Sequence, residues 1–224
     1  MKEIICCFLF FFIMLTGKTQ TGTAEAVNQT VFLLPEFAHG KVLFLNGTSQ
    51  QVMLNYNTLF EQMIFEQNGL MMALDQINTI DTVFIDSMKF IPVDTSFYEV
   101  RLEQTRFSLY TRHSSIVTKD GTAAPFGGTT QTGAVQNLSS YRLGVATPYQ
   151  LKPADNYTVN KQVTFFIKIN EQLTLVKSPK QLGQLSPGNE KKIIRFIENN
   201  DIVLNKRQDL EKLLLFIETF NRKN

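Results

Sequence analysis

The chain has 224 residues, with 22 lysines and arginines against 20 aspartates and glutamates, so its formal net charge is +2. Hydrophobic residues make up 43% and charged residues 19%, a balance typical of a folded protein and not of a disordered chain. The two cysteines, Cys6 and Cys7, both lie in an apolar run near the N-terminus. The rest of the chain therefore excludes a disulfide framework, a cysteine-ligated metal site and a thiol nucleophile.

Residues 1–26 have the pattern of a secretory signal peptide. The uncharged, apolar residues 4–15 follow a charged start at Lys2 and Glu3. This run is shorter than the about 20 residues that a membrane-spanning helix needs. Ala24-Glu25-Ala26 supplies the small residues that a signal peptidase accepts. We predict cleavage after residue 26 and export of the protein, with an uncleaved N-terminal anchor as the alternative.

Residues 27–112 carry the pattern of antiparallel β-hairpins. Asn46-Gly47 and Asn68-Gly69 are strong hairpin-turn dipeptides, and Asp86-Ser87 and Glu103-Gln104 are weaker ones. Turns about every 8–12 residues favour an antiparallel meander, a curled sheet or a sandwich over alternating βαβ units. The predicted strands are residues 41–45, 51–56, 60–66, 70–74, 83–85, 89–93, 97–102 and 105–110.

The apolar residues of these strands supply the predicted core. They provide enough apolar surface for a folded domain without covalent cross-links, since each buried side chain contributes about 1.5–3 kcal/mol. The core candidates are Val42, Phe44, Met53, Leu54, Phe65, Leu74, Val83, Ile85, Phe90, Ile91, Phe107 and Leu109.

The pattern changes at His113. Residues 113–140 are rich in Gly, Ala, Thr, Ser, Gln and Asn, which predicts a long loop. Residues 141–176 contain one further hairpin, with strands at 162–169 and 172–176 around Asn170-Glu171.

Residues 177–224 are predicted to be helical. Ser186-Pro187 has the pattern of an N-cap followed by proline at the first helical position, and Asn199-Asn200 is placed at the end of this first helix. A second helix is predicted over residues 206–221, with Leu210, Leu213, Leu214, Ile217 and Phe220 on one apolar stripe. The segment has ten basic and six acidic residues, an excess too small to indicate a nucleic-acid partner. The predicted fold is therefore mainly β with two C-terminal helices, in the α+β class.

Motifs of catalysis and metal binding are missing from the sequence. Outside the cysteine run, the chain has two histidines, His39 and His113, and neither belongs to a short-range zinc pattern. No nucleophile elbow of the type G-x-S-x-G occurs. We therefore predict no catalytic residue, no metal and no cofactor. A hydrolase site remains the alternative, built from His113 and from carboxylates and a hydroxyl that lie far away in the sequence.

The loop contains one distinctive segment, Phe126-Gly127-Gly128-Thr129. Glycines allow a ligand to approach the backbone closely, and Phe126 offers an apolar anchor, so these four residues are the predicted binding loop. The low-complexity Gly/Thr composition favours the other interpretation, a flexible loop tip that packs on the sheet through Phe126.

Several segments together resemble an uncharacterised family of secreted and envelope proteins of Bacteroidota. The resemblance depends on Gly40-Lys41-Val42, the run Leu54-Asn55-Tyr56-Asn57, the Gly/Thr/Gln loop at residues 126–132 and the helical C-terminal end. It implies a location in the cell envelope, the periplasm or the medium, and it implies no activity.

The sequence thus predicts an exported β-rich protein that acts as a binding or structural module. Its expected partner is an envelope protein or a glycan component, with no nucleic acid and no membrane span after signal cleavage. A secreted hydrolase is the first alternative, and an outer-membrane-associated barrel is the second.

Overall fold

The computed structural model describes residues 31–119, 122–123, 129–130, 157–169 and 171–221. The predicted signal peptide, residues 1–26, lies outside these residues, as does most of the predicted loop. The fold and the sites below are those of the described residues.

Ten strands form one open antiparallel sheet, which confirms the predicted fold class. The strand order is β12-β11-β8-β7-β6-β5-β1-β2-β3-β4. Strands β1 to β4 form one meander and strands β5 to β8 form a second, and the two meet where β5 pairs with β1. The separate short strands β9 (Thr122–Ala123) and β10 (Thr129–Thr130) pair with each other. The sheet consists of β1 (Ala38–Phe44), β2 (Ser49–Asn57), β3 (Gln62–Gln67), β4 (Leu70–Ala73), β5 (Ile80–Ile85), β6 (Met88–Val93), β7 (Ser96–Glu103), β8 (Ser108–Lys119), β11 (Tyr157–Ile169) and β12 (Gln172–Leu175).

The predicted hairpins form, but several strand boundaries differ from the predicted ones; β5, for example, begins at Ile80 and β11 at Tyr157. Asn68 (φ 53°) and Gly69 (φ 75°) both occupy the left-handed region, as a type I′ turn requires. The fourth turn is longer than predicted, because Gln104 N donates to Phe107 O at 2.9 Å. As a result β8 begins at Ser108, and its predicted start at residue 105 is wrong.

The prediction that a loop begins at His113 is wrong. Strand β8 continues to Lys119 and pairs with β11 from Lys119↔Tyr157 to Ser108↔Lys168. The polar residues of β8 after His113 are of the types that predict a loop. Ser115 is nevertheless 2% exposed, and its hydroxyl oxygen lies 2.7 Å from Thr58 Oγ1. A polar side chain with a partner can occupy the inner face of a strand.

The Thr58–Ser115 contact also shows how strongly the sheet curls. Thr58 directly follows β2, and Ser115 lies on β8, five strand spacings away in the sheet order. At about 4.8 Å per spacing, a flat sheet would separate them by about 24 Å. The hydroxyl oxygens are 2.7 Å apart, so the sheet folds back on itself and encloses part of its own face.

The curl creates an inner core, and a second core lies under the helices. The inner core comprises Val42, Leu54, Tyr56, Met63, Ile80, Val83, Ile85, Phe90 and Phe97. Seven of the twelve predicted core residues are buried, while Phe44, Met53, Phe65, Leu74 and Ile91 are partly buried. Met53 and Ile91 are neighbours of the fully buried Leu54 and Phe90, and adjacent residues of a strand point to opposite faces.

Three helices follow the sheet: α1 (Pro179–Gly183), α2 (Glu190–Asn199) and α3 (Arg207–Asn221). The predicted N-cap at Ser186 is wrong. The backbone oxygen of Ser186 accepts a hydrogen bond from Asn189 N at 3.0 Å, in a turn that contains Gly188 (φ 85°). The N-cap of α2 is Asn189.

The apolar stripe of α3 packs as predicted. Leu210, Leu213, Leu214 and Ile217 are fully buried against Phe107, Leu109, Phe165 and Ile167 of the sheet and its turn, and Phe220 is partly buried beside them. Within the described residues, the helices are all too short or too polar to cross a membrane.

Candidate functional site

A cleft lies where the turn after β2 meets the tip of the β6–β7 hairpin. Asn57 shapes the first turn, because its Oδ1 accepts hydrogen bonds from Leu59 N at 2.8 Å and Phe60 N at 2.9 Å. Glu61 follows with φ 56°, and Asp94 at the hairpin tip has φ 52°, so both occupy the left-handed region. The curl of the sheet brings these two turns together.

A paired glutamate and arginine form the base of the cleft. Arg112 Nε donates to Glu61 Oε2 at 2.7 Å, and Nη2 donates to Oε1 at 2.6 Å. The Glu61 side chain is 4% exposed and that of Arg112 is 34% exposed. The hydrogen bond to Glu61 raises the pKa of Arg112, with burial opposing it. The two parallel hydrogen bonds fix the orientation of the guanidinium.

Ser96 connects this pair to the inner core. Its Oγ lies 3.1 Å from Tyr56 Oη and 3.3 Å from both the backbone oxygen and Oε2 of Glu61. Burial raises the pKa of Tyr56, so its phenol stays protonated. The wall of the cleft is therefore held by groups that are buried and hydrogen-bonded.

Three further polar groups belong to the cleft. Tyr98 Oη, Arg112 Nη1 and the Asp94 carboxylate form no hydrogen bond with other described residues. Burial raises the pKa of Tyr98; the Arg112 charge opposes this, and the charges of Glu61 and Asp94 add to it. Tyr98 is therefore a hydrogen-bond donor at neutral pH. Its ring lies 5.2 Å from the ring of Phe166, which fixes its position.

The cleft has a volume of about 190 Å³. A wider hollow of about 480 Å³ lies between the β7–β8 turn and β11. Its acidic side chains are more exposed to solvent than Glu61 of the cleft, since those of Glu103 and Glu171 are 56% and 88% exposed. We therefore take the smaller cleft as the candidate binding site. Its lining among the described residues is Phe60, Glu61, Val93, Asp94, Thr95, Ser96, Tyr98 and Arg112.

A second polar cluster lies between the inner core and the core under the helices. One row across the sheet runs from Phe90 of the inner core through Glu99 and Thr111 to Phe165 under the helices. Glu99 is 3% exposed in this row. A buried carboxylate needs partners, since an unpaired charge in this position would be strongly destabilising.

The partners of Glu99 come from β7 and β8. His113 Nε2 lies 2.7 Å from Glu99 Oε2, and Arg101 Nη1 donates to Oε1. Arg101 also reaches helix α3, with its Nε 3.5 Å from Glu211 Oε1. Burial raises the pKa of Glu99, but the hydrogen bond from His113 and the charge of Arg101 outweigh burial and lower it overall. The cluster thus links the helices to the curled sheet.

This cluster has one element of a hydrolase site, a histidine beside a carboxylate. The His113 side chain is 13% exposed, and its ring lies 6.5 Å from the rings of Tyr56 and Phe90. Among the described residues no hydroxyl hydrogen-bonds to His113. Thr111 Oγ1 in the same row is buried and has no hydrogen-bond partner among the described residues. The arrangement fits a structural role better than acid–base chemistry.

The predicted binding loop falls mostly outside the described residues. Phe126, Gly127 and Gly128 lie outside them, and Thr129 is described only as backbone of β10, opposite Ala123. The role of this loop stays a prediction. His39 lies on β1 opposite Met53, about half the sheet away from the cluster of His113. Within the described part of the chain, no three His, Cys, Asp or Glu side chains group as metal ligands do.

The residues of the cleft were not among the predicted site residues. For the second cluster one signal was present: Glu99 follows Phe97 by two positions in a strand, so both share a face, and a carboxylate on an apolar face requires a partner. Glu61 and Arg112 gave no such signal, because their pairing depends on the curl of the sheet.

Comparison of the chain with known protein families, with curated proteins and with solved structures finds no match.

Proposed function

We propose that the protein is an exported, non-catalytic binding module and that the cleft at Glu61 and Arg112 is its ligand site. One observation carries this proposal. The Glu61–Arg112 pair is fixed by two hydrogen bonds, while Tyr98 Oη, Arg112 Nη1 and the Asp94 carboxylate have no hydrogen-bond partner among the described residues. Polar groups that are already held in place lose little conformational freedom when a ligand binds.

The same geometry argues against catalysis in the cleft. Both carboxylate oxygens of Glu61 accept hydrogen bonds from Arg112, so this carboxylate is held as part of the cleft wall. His113, the residue best suited to general base chemistry at neutral pH, belongs to the separate cluster of Glu99. Positioning groups without an acid–base pair favour binding over turnover.

Export is the second part of the proposal. It is supported by the signal-peptide pattern of residues 1–26 and by the resemblance to secreted and envelope proteins of Bacteroidota. An envelope location would bring the cleft into contact with glycans and with other envelope proteins. N-terminal sequencing of the secreted protein tests it: we expect a chain that begins at or a few residues before Val27, and a chain that begins at Met1 would contradict export by cleavage.

The binding proposal is tested by nuclear magnetic resonance with three simple probes: a methyl glucoside, acetate and ethylammonium. We expect at least one probe to shift the backbone amides of residues 94–98 and 112. Tyr98→Phe removes one hydrogen-bond donor and should weaken that binding about 2- to 10-fold. Tyr110→Phe is the matched control, because Tyr110 lines the wider hollow and not the cleft. If no probe shifts these amides, the cleft is not a binding site.

A hydrolase is the second candidate function, favoured by the 2.7 Å contact of His113 Nε2 with Glu99 Oε2. It predicts ester hydrolysis, for example of p-nitrophenyl acetate, that His113→Gln abolishes. The binding module predicts no hydrolysis above that of a His39→Gln control.

A further inference from the structure

The charge and the hydrogen-bonding pattern of the cleft point to one class of ligand. We infer that the cleft binds a neutral, polyhydroxylated ring, such as one sugar unit of a glycan. This inference rests on the proposed function, and it adds the chemistry of the ligand.

The charge of the cleft disfavours an anion. Glu61 neutralises Arg112 through a two-pronged contact of 2.6 and 2.7 Å, and the exposed carboxylate of Asp94 adds a further negative charge. The formal charge of the described lining residues is therefore −1. A carboxylate or phosphate entering the cleft would meet Asp94, and the described lining has no unpaired cation to offset the repulsion.

The donor and acceptor pattern also disfavours a simple cation. Arg112 Nη1 and Tyr98 Oη are donors, and the raised pKa of Tyr98 keeps its proton in place. An ammonium group has donors alone, so it satisfies Asp94 and leaves these two groups without an acceptor. A hydroxyl group both donates and accepts. Neighbouring hydroxyls on one ring can donate to Asp94 and accept from Arg112 and Tyr98.

The size and the walls of the cleft fit one ring. Its volume of about 190 Å³ is smaller than the about 300–1,000 Å³ of sites for drug-sized ligands. Phe60 and Val93 also line the cleft, but its exposed surface is mainly polar, so a ring would be held chiefly through its hydroxyl groups. A cleft of this size has room for one ring. Because the cleft is open to the surface, the rest of a longer glycan would lie outside it.

The experiment compares the probes on two aspartate variants that have the same local backbone. Asp94 and Asp86 each occupy a left-handed turn position at a hairpin tip, with φ 52° and 48°, and asparagine tolerates this conformation. Asp94→Asn removes a charged acceptor from the cleft, and Asp86→Asn makes the same change outside it. Binding is followed by amide shifts of the full chain on titration with methyl β-glucopyranoside, acetate or ethylammonium.

We expect the glucoside to bind the wild type with a dissociation constant in the millimolar range, roughly that of a small ligand with few contacts. Asp94→Asn should weaken it at least about tenfold, because a hydrogen bond to a charged acceptor is lost. Asp86→Asn should leave it unchanged. Equal affinity in Asp94→Asn and the wild type would overturn the inference.

The probes separate the two levels of the argument. If acetate or ethylammonium shifts the cleft amides and the glucoside does not, the ligand class is wrong and the binding module stands. If none of the three probes shifts these amides, the proposed function fails together with the inference.

Discussion

Replacement of Glu99 by glutamine tests whether the Glu99–His113–Arg101 cluster is structural. Glutamine keeps the size of the side chain and one acceptor oxygen but removes the negative charge. The Glu99 side chain is 4% exposed and accepts hydrogen bonds from two side chains, so the charge is lost from a site that solvent does not compensate.

The expected loss in the free energy of unfolding follows from these contacts. A hydrogen bond to a charged group contributes about 1.5–3 kcal/mol, and breaking a buried ion pair costs about 3–5 kcal/mol. Arg101 keeps one acidic partner, Glu211 at 3.5 Å, which reduces the loss. We expect the free energy of unfolding to fall by about 3 kcal/mol, which for a chain of this length lowers the melting temperature by roughly 6–12 °C.

The pH dependence gives a second signature. In the unfolded chain Glu99 titrates near 4.5, and in the folded protein its pKa is lower. Its contribution to stability is therefore complete above pH 4.5 and is lost as the pH falls through the folded-state pKa. Glu99→Gln removes this part of the acid dependence, so the difference in stability between the wild type and Glu99→Gln should shrink below pH 4.5.

The assay is urea denaturation followed by circular dichroism at several pH values. Glu103→Gln is the matched control on the same strand, because Glu103 is 56% exposed and pairs with Lys89 at 2.8 Å on the surface. An exposed pair contributes about 0–1 kcal/mol. If Glu99→Gln is as stable as Glu103→Gln, the cluster does not hold the fold and the reasoning is refuted.

Two further substitutions test the packing. Leu213→Ala on α3 should destabilise the protein by about 2–5 kcal/mol in the same denaturation assay, because this side chain is fully buried. Leu215 is 49% exposed, so Leu215→Ala should change the stability by less than about 0.5 kcal/mol. Gly40→Ala should destabilise the protein by about 1–3 kcal/mol in thermal unfolding, since the added Cβ would lie 2.5 Å from Leu54 Cδ1. Gly183→Ala should destabilise it less, because the nearest contact of that Cβ is at 3.5 Å. Equal effects would contradict the close packing of Leu54 on β1.

Local patterns were sufficient for much of the fold. The dipeptides Asn46-Gly47 and Asn68-Gly69 place turns because their backbone preference is local, and the stripe of α3 follows from helical spacing alone. The N-cap prediction at Ser186 failed because a competing turn through Gly188 uses the serine backbone. Helix boundaries depend on such competition more than helix existence does.

The candidate site depended on long-range geometry. Glu61 and Arg112 are 51 positions apart, and only the curl of the sheet makes them neighbours. The polar run at residues 113–115 suggested a loop, because nothing in the local sequence shows that Thr58 meets Ser115 across the curl. Residue type and spacing give the period of a strand, while the pairing of side chains across a curled sheet requires its three-dimensional path.

The most direct measurement of the central claim is a crystal structure of the protein soaked with methyl β-glucopyranoside. We predict the sugar ring in the cleft, with hydroxyl oxygens within hydrogen-bond distance of Asp94 and of Arg112 Nη1. A ring bound elsewhere, for example in the hollow lined by His39 and Asp86, with the cleft free of sugar, would contradict the account.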